Sequence, residues 1–332
     1  MRLQNLLSLT GATMMSEPAV TRVDAIVLDP KRVRRGDLFV AFDHRQIPEA
    51  VAKGAYAVLY EHNITVTDPE IAWLKVESVE FALLRLLRFR LLEKSLHVFS
   101  GDDVTLAVAA QMFTDERCYV LRSDLTSAFY DLWDLKEGSW VFVPERKACS
   151  ELFVQVLPLP KQGAHPVEIA EQTLFETSFV LDNVYYERMQ LSPFFLPYLT
   201  HLYFFAKQQG LRFRVGGMQG STHFVPVFVG DDLRPKTFGH GGKVLIFEPD
   251  PSMLLKEIDF IRNEAKWAKI IYLLPKASAG LCEHNEAFLL YETQEDIMQL
   301  LKTVPFHFAL IGGQEKGLLE RVHIRIEAPT LF

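Results

Sequence analysis

The sequence predicts an α/β protein built on largely parallel sheets and divided into more than one domain. Three observations point there. The chain has 332 residues, enough for two or three domains at roughly 100–200 residues each. Short apolar runs of strand length alternate with helical patterns at both ends of the chain, the order that yields parallel sheets covered by helices. Hydrophobic residues make up 49% and charged residues 23%, which fills several cores and leaves an ordinary surface.

The same numbers narrow the function. A net charge of −7 argues against a general nucleic-acid binder, which needs a basic face. Cys118, Cys149 and Cys282 are odd in number and lie far apart without CxxC spacing. That pattern implies neither a disulfide framework nor a zinc site and fits a reducing cytoplasm. The N-terminal "MRLQNLLSLTGATMM" is too short and too polar for a signal peptide. The most membrane-like stretch, "LSPFFLPYLTHLYFFA" (191–206), contains Pro193, Pro197 and His201 and is shorter than the roughly 20 residues of a span. It reads as a buried aromatic helix, and no membrane span is expected.

Residues 1–78 carry the strand-like runs "AIVL", "LFVAF" and "YAVLYE", with "PEAVAKGA" a helix closed by Gly54. "VEFALLRLLRFRLLEK" (79–94) is an amphipathic helix with Leu83, Leu84, Leu87 and Leu91 on one face. "CYVL" and "SWVFVP" read as buried parallel strands flanking the helical "DLTSAFYDLWDL". A hairpin turns at Asp182-Asn183, and Gly210 stops the aromatic helix. From 241 the order is strand "KVLIF", then a helix entered through Asp250-Pro251 with Leu254, Leu255, Ile258, Ile261 and Ala265 inward. Strands "IIYLL", "AFLLY" and "FHFALI" follow, with helix "QEDIMQLLK" before the last.

Three stretches carry candidate chemistry. In "VLDPKRVRRGDLFVAF" (27–42), Asp29 and Lys31 precede a tight turn at Arg35-Gly36-Asp37. Charge alone leaves two readings open: a solvated basic turn, or an anion held by Lys31, Arg32, Arg34 and Arg35. "LHVFSGDDVTLAVAAQMF" (96–113) has the strand-turn-helix order of a phosphate loop. It lacks the lysine that reaches the β/γ-phosphates, and Asp102 and Asp103 stand where phosphates would lie. The glycine-rich "VGGMQGSTHF" and "FGHGGKVLIF" read as loops, because the second precedes a strand where a cradle would open a helix. His201, His223 and His240 are scattered, and no metal-ligand spacing is present.

Asp29-Pro30-Lys31, Val33 and Gly36-Asp37-Leu38-Phe39-Val40-Ala41, followed by Gly54-Ala55-Tyr56-Ala57-Val58-Leu59 and Glu61, resemble the N-terminal domain of the Mur ligases, which build the peptidoglycan stem peptide. Gly313 and Glu320-Arg321-Val322 near the other end are similar to the last segment of the branch that adds D-alanyl-D-alanine. The resemblance implies a three-domain Mur-ligase-like architecture: a UDP-precursor-binding type domain over 1–78, a shortened central ATPase-like domain over 79–240, and a Rossmann-like C-terminal domain over 241–332. It implies ligand-binding roles for Asp29, Lys31, Arg32, Arg34, Gly36 and Asp37, and a degenerate phosphate loop at Ser100, Gly101, Asp102, Asp103 and Thr105. Pro30-Lys31 replaces the family's Ser-Arg, and Gly312, Gln314 and Glu315 stand where that branch has Lys, Ser and Arg.

The family is an ATP-dependent amide-bond ligase. Its phosphate-loop lysine is absent here, and no counterpart of its carbamylated lysine or Mg²⁺ ligands is found, so no catalytic residue, metal or cofactor is assigned. The expectation is a bacterial, cytoplasmic pseudoenzyme of peptidoglycan precursor metabolism, binding a UDP-linked muramoyl peptide or another cell-wall enzyme. Two alternatives stand beside it: an active divergent ligase using Mg-ATP, and a structural or interaction protein with closed clefts.

Overall fold

The computed structural model describes residues 1–160, 167–218, 222–283 and 288–319. The chain forms two compact units, Met1–Asp102 with Glu116–Leu159, and Asp103–Asp115 with the residues from Pro160 onward. The boundaries read from the sequence at 78 and 240 both fall inside these units.

The first unit begins with α1 (Leu3–Thr10), β1 (Thr13–Met14), β2 (Ile26–Val27), β3 (Leu38–Val40), α2 (Ile47–Ala52), β4 (Ala57–Tyr60) and β5 (Ala72–Lys75). Its first sheet has the order β1-β5-β4-β3-β2, parallel except where β1 meets β5. Both faces are buried, which is why the strands are apolar without alternation. Leu38, Val40, Leu59 and Leu74 point into one cluster, and Phe39, Val58 and Trp73 into the other. Strand β5 and helix α1 were not anticipated from the sequence; their apolar runs are short, although Asp68-Pro69 precede the strand and Gly11, at φ 68°, closes the helix.

Helix α3 (Val79–Leu92) starts at Ser78, whose side chain accepts from the Phe81 N–H. Its buried face is Ala82, Leu83, Leu86, Leu87 and Leu91, with the expected Leu84 only half-buried. After it come β6 (His97–Gly101), then α4 (Asp103–Met112) of the second unit, then β7 (Cys118–Val120), α5 (Phe129–Trp133), β8 (Trp140–Pro144), α6 (Lys147–Leu152) and β9 (Leu157–Pro158). These strands form a second parallel sheet of order β7-β8-β6-β9. Helix α3 contributes to a single cluster that contains Leu38 and Leu59 of the first sheet and Val98, Val141 and Val143 of the second. This shared core makes residues 79–159, apart from α4, continuous with the first domain.

The second unit contains β10 (Glu168–Gln172), β11 (Thr177–Leu181) and β12 (Val184–Met189) as an antiparallel sheet. The β11–β12 turn falls at Asp182 and Asn183 as expected, both with positive φ (52° and 65°), as a two-residue hairpin requires. Helix α7 (Leu196–Gln209) is the aromatic segment; Ser192 caps the turn before it, and Gly210 closes it at φ 63°. Helix α4 packs against α7. Among the described residues no helix is long and apolar enough to cross a membrane.

The rest is β13 (Val225–Val229), β14 (Lys243–Glu248), α8 (Leu254–Glu264), β15 (Ile270–Pro275), β16 (Phe288–Tyr291), α9 (Gln294–Thr303) and β17 (Phe308–Gly312). The sheet order is β13-β14-β17-β15-β16, with only β13 antiparallel. Helix α9 opens with a capping box between Thr293 and Asp296 and packs Ile297, Met298 and Leu301 on Leu245, Phe247, Ile271 and Ile311. Helix α8 buries Leu254, Ile258 and Ile261 as expected, but also Glu257, while Leu255 is half-buried.

Leu86 is fully buried in the shared cluster of the first unit. Leu86→Ala is expected to lower the stability of that unit by about 3 kcal/mol through lost burial and the cavity it leaves. Urea unfolding followed by far-ultraviolet circular dichroism measures it, and a cost under about 1 kcal/mol would mean α3 is not central to that core.

Candidate functional site

The basic stretch folds as a short 3-10 turn, Pro30–Arg32, capped by Asp29, whose carboxylate accepts from the Lys31 N–H at 2.9 Å. The following turn is closed by Asp37, 6% exposed, which accepts from the Arg34 N–H at 2.8 Å. Gly36 sits at φ 103°, and a Cβ there would come within 2.5 Å of the Asp24 carboxylate. Its conformation and its contact both require glycine. Asp29, Gly36 and Asp37 therefore shape the loop. Lys31, Arg32, Arg34 and Arg35 are what the loop presents.

Those four cations line an open cleft of about 1280 Å³ within the first unit, joined by Lys53 and Arg90. Six cationic side chains face four carboxylates there, Asp24, Asp37, Glu93 and Asp134. This is a basic island on a chain of net charge −7. Among the described residues, no salt bridge neutralises Lys31, Arg32, Arg34 or Arg35. Asp37 is already committed to the loop backbone, and Asp24 pairs with Arg22 at 3.5 Å.

Two aromatic residues from α5 complete the cleft. The Arg32 guanidinium lies 4.7 Å from the Tyr130 ring centre, and that of Arg90 lies 5.7 Å from the ring of Trp133. The Tyr130 hydroxyl accepts from the Leu28 N–H at 2.8 Å, fixing α5 to the strand that leads into the basic loop. Arg35 donates from Nε to the Tyr56 hydroxyl at 3.1 Å, and Lys53 donates to the Lys31 carbonyl at 2.9 Å. Such an arrangement holds an anion on guanidinium groups and offers flat rings to a planar group. The sequence reading missed Tyr130, Trp133, Arg90 and Lys53. They come from two helices and a helix end remote from the loop, and only the Arg-Phe-Arg run of α3 and the aromatic content of α5 hinted at them.

The phosphate-loop candidate is a different matter. Ser100 and Gly101 lie inside β6, paired with Val143 and Pro144 of β8. The sequence had placed the turn at these two residues. Asp102 alone separates the strand from α4, which begins at Asp103 and includes Thr105. One residue spans about 3.5 Å, whereas a phosphate cradle needs a run of backbone N–H groups between strand and helix. Phe99 stacks on Trp140 and Phe142 of its own sheet, at 5.8 and 6.2 Å between ring centres, and Met112 is fully buried at the end of α4.

At the carboxyl ends of β14 and β17, where open α/β sheets usually bind ligands, protein groups bond to one another. The Gly313 N–H donates to the Glu248 carbonyl at 2.6 Å, and the Tyr291 hydroxyl donates to the Gly312 carbonyl at 2.5 Å. Gly313 has φ 73° with Pro275 pressed against it. Glu320 and Arg321, the rest of the C-terminal motif, lie outside the described residues.

Beneath that edge runs a buried ionic chain that the sequence reading did not find. His223 Nδ1 lies 2.7 Å from Glu248 Oε1, and the other Glu248 oxygen accepts from the Phe224 N–H at 3.1 Å. Glu248 and Glu257 are fully buried and His223 is 5% exposed. Neither Glu257 oxygen receives a hydrogen bond from another described group, yet its carboxyl meets Glu248. Of the two acids, Glu257 is the one whose surroundings favour the neutral form. Burial, then contact with Glu248, raises Glu257 well above the ordinary carboxylate range. For His223 burial opposes the charge, but the Glu248 hydrogen bond and charge, helped by Asp103 and Asp250, raise the imidazole overall. A neutral Glu257 removes one charge that burial would otherwise penalise.

Comparison with known proteins bears on the fold. No family model matches the sequence, and no curated protein matches it. Solved structures do. A MurF structure from Acinetobacter baumannii matches with a TM-score of 0.54 at 13% identity, over 98% of this chain and 98% of that one. The MurF ligase of Thermotoga maritima, solved in complex with ADP, matches with a TM-score of 0.53 at 13% identity, over 91% of this chain and 96% of that one. The chain has a Mur-ligase-like multi-domain α/β fold.

Because His223 and Glu257 both bind their protons more tightly folded than unfolded, the stability they contribute is complete below their ordinary values, 6.5 and 4.5. It is lost as pH rises through the folded values. The thermal midpoint is expected to fall as pH rises above 4.5 and more steeply above 6.5, and Glu257→Gln, which keeps a donor without titrating, to flatten that slope. Calorimetric scans across this range check it. An unchanged slope in the variant would mean Glu257 is already ionised in the fold.

Proposed function

We propose that this protein binds a nucleotide-linked peptidoglycan precursor, a UDP-muramoyl peptide, in the cationic cleft of its first unit, without ATP-dependent ligation. The observation that carries the reading is the convergence of Lys31, Arg32, Arg34 and Arg35 on one open cleft beside Tyr130 and Trp133. A diphosphate matches the guanidinium groups, a planar base matches the rings, and the volume is ample for a nucleotide-sugar. The likeness to MurF structures supports the choice of this anion over others. The place of action would be the bacterial cytoplasm, and a second cell-wall enzyme remains compatible as a partner.

The single-residue connection at Asp102 supports the absence of ligation. Amide-bond ligases of this kind need ATP and Mg²⁺ held in place, and the stretch offers two carboxylates and no lysine. Each carboxylate at 4 Å from a phosphate charge costs about 1 kcal/mol even at the dielectric of water, and more inside a cleft.

Isothermal titration tests both halves. UDP-linked muramoyl peptide is expected to bind, and Arg32→Ala with Arg34→Ala to weaken it at least tenfold, since a hydrogen bond to a charged group contributes about 1.5–3 kcal/mol. Raising salt should weaken it further. Mg-ATP at millimolar concentration should give no heat. Micromolar Mg-ATP binding that disappears in Asp102→Ala with Asp103→Ala would instead favour an active, metal-bridged ligase.

A further inference from the structure

The second unit holds a cleft of about 760 Å³ that none of the roles above uses. It lies at the amino ends of β14 and β17, near Val244 and Phe308, away from the Glu248 edge. Its wall is a continuous series of rings. Phe238 meets Phe228 at 5.0 Å between centres, Phe228 meets Phe175 at 5.9 Å, Phe175 meets Phe308 at 6.2 Å, and Phe308 meets Trp267 at 6.0 Å. Trp267, at the end of the series, is 74% exposed, and Phe238, at its start, 38%. Rings exposed at both ends of a cleft, with buried or half-buried ones between, form a surface already shaped for a partner.

The charges select the partner. Arg188 and Glu176 pair at 3.2 Å and cancel. Glu264 accepts from the amide of Gln172 at 2.8 Å, a neutral donor, so its negative charge stays on the wall. Glu264 also ends α8, an 11-residue helix whose carbonyl end carries further negative potential. Lys266 and Lys269 follow in sequence, but their side chains are not part of the lining. His307 accepts the Lys269 N–H on Nδ1 at 2.8 Å. The cleft is therefore aromatic and mildly anionic, the reverse of the cleft in the first unit.

We infer that this aromatic cleft is a binding site for an organic cation, an alkylammonium or guanidinium group carried on an apolar body. The cation would lie against the face of Trp267, with Glu264 as its counter-charge and the rings of Phe308, Phe228 and Phe238 taking the apolar part. Phosphates and carboxylates are disfavoured there by the same Glu264. The free side of the loop 238–242 is open because Gly239, at φ 77°, has nothing within 4 Å of where a Cβ would stand.

The test uses the full chain and three probes followed by calorimetry: N-acetyl-arginine methylamide, its neutral isostere N-acetyl-citrulline methylamide, and benzyltrimethylammonium. The arginine probe is expected to bind about tenfold more tightly than citrulline. Trp267→Ala and Glu264→Gln should each weaken it about five- to tenfold, and Trp267→Phe should restore most of the loss. Both residues are exposed, so the variants fold, and circular dichroism verifies it. Tighter binding of the arginine probe points to a basic peptide side chain as the natural source, and tighter binding of benzyltrimethylammonium to a small amine. Equal binding of arginine and citrulline, no saturable binding of any probe, or indifference to Glu264→Gln overturns the inference. None of these outcomes touches the basic cleft, whose ligand is an anion.

Discussion

Asp37 holds the basic loop in place, and the character of the first unit follows from that. Its buried carboxylate accepts the Arg34 N–H, and its carbonyl accepts from Tyr56 and Ala57 at the head of β4. Asp37 thereby joins the loop, through its carboxylate, to the sheet, through its carbonyl. Gly36, at φ 103° against Asp24, sets the direction of the turn. With backbone and small residues committed to the sheet, the long cationic side chains can only project outward. Four like charges so close together repel, and the fold tolerates this because the cleft is open to water and its screening ions. An anion with several negative oxygens would relieve the repulsion, which is the physical reason to regard the loop as a binding surface.

The second unit solves the opposite problem. It buries three ionisable groups under the carboxyl-end edge of a Rossmann-like sheet and balances them internally. One acid keeps its proton, the other accepts from an imidazole and two backbone amides, and the glycine turn after β17 closes over them. Breaking one member would strand a buried charge, a loss of about 3–5 kcal/mol where it has been measured in buried pairs. The edge is thus braced by its own polar groups. What the unit leaves open is the other end of the same sheet, where the aromatic cleft lies.

Much of this was legible in the sequence. The strands β14 to β17, the hairpin at Asp182-Asn183 and the glycine ends of α2 and α7 carried local signals strong enough to survive packing. The basic loop was legible too, because glycine and aspartate at a turn have few other uses. Four things were not. Ser100 and Gly101 resembled a turn but continue β6, since pairing with β8 outweighs a weak local preference. Glu257 occupies an inward position of α8 that a binary pattern assigns to solvent, because burial favours its neutral form. Tyr130 and Trp133 reach the basic loop only through tertiary packing of α5, which no spacing along the chain encodes. The position of α3 in a core shared by two sheets was hidden for the same reason, so a domain boundary at 78 looked natural.

The measurement that bears most directly on the central claim is a crystal structure grown with both Mg-ATP and UDP-linked muramoyl peptide. The account predicts density for the diphosphate against Lys31, Arg32 and Arg34, with the base beside Tyr130 or Trp133, and no triphosphate beside Asp102 and Asp103. A triphosphate bridged by metal to those two carboxylates, with the basic cleft empty, would contradict it.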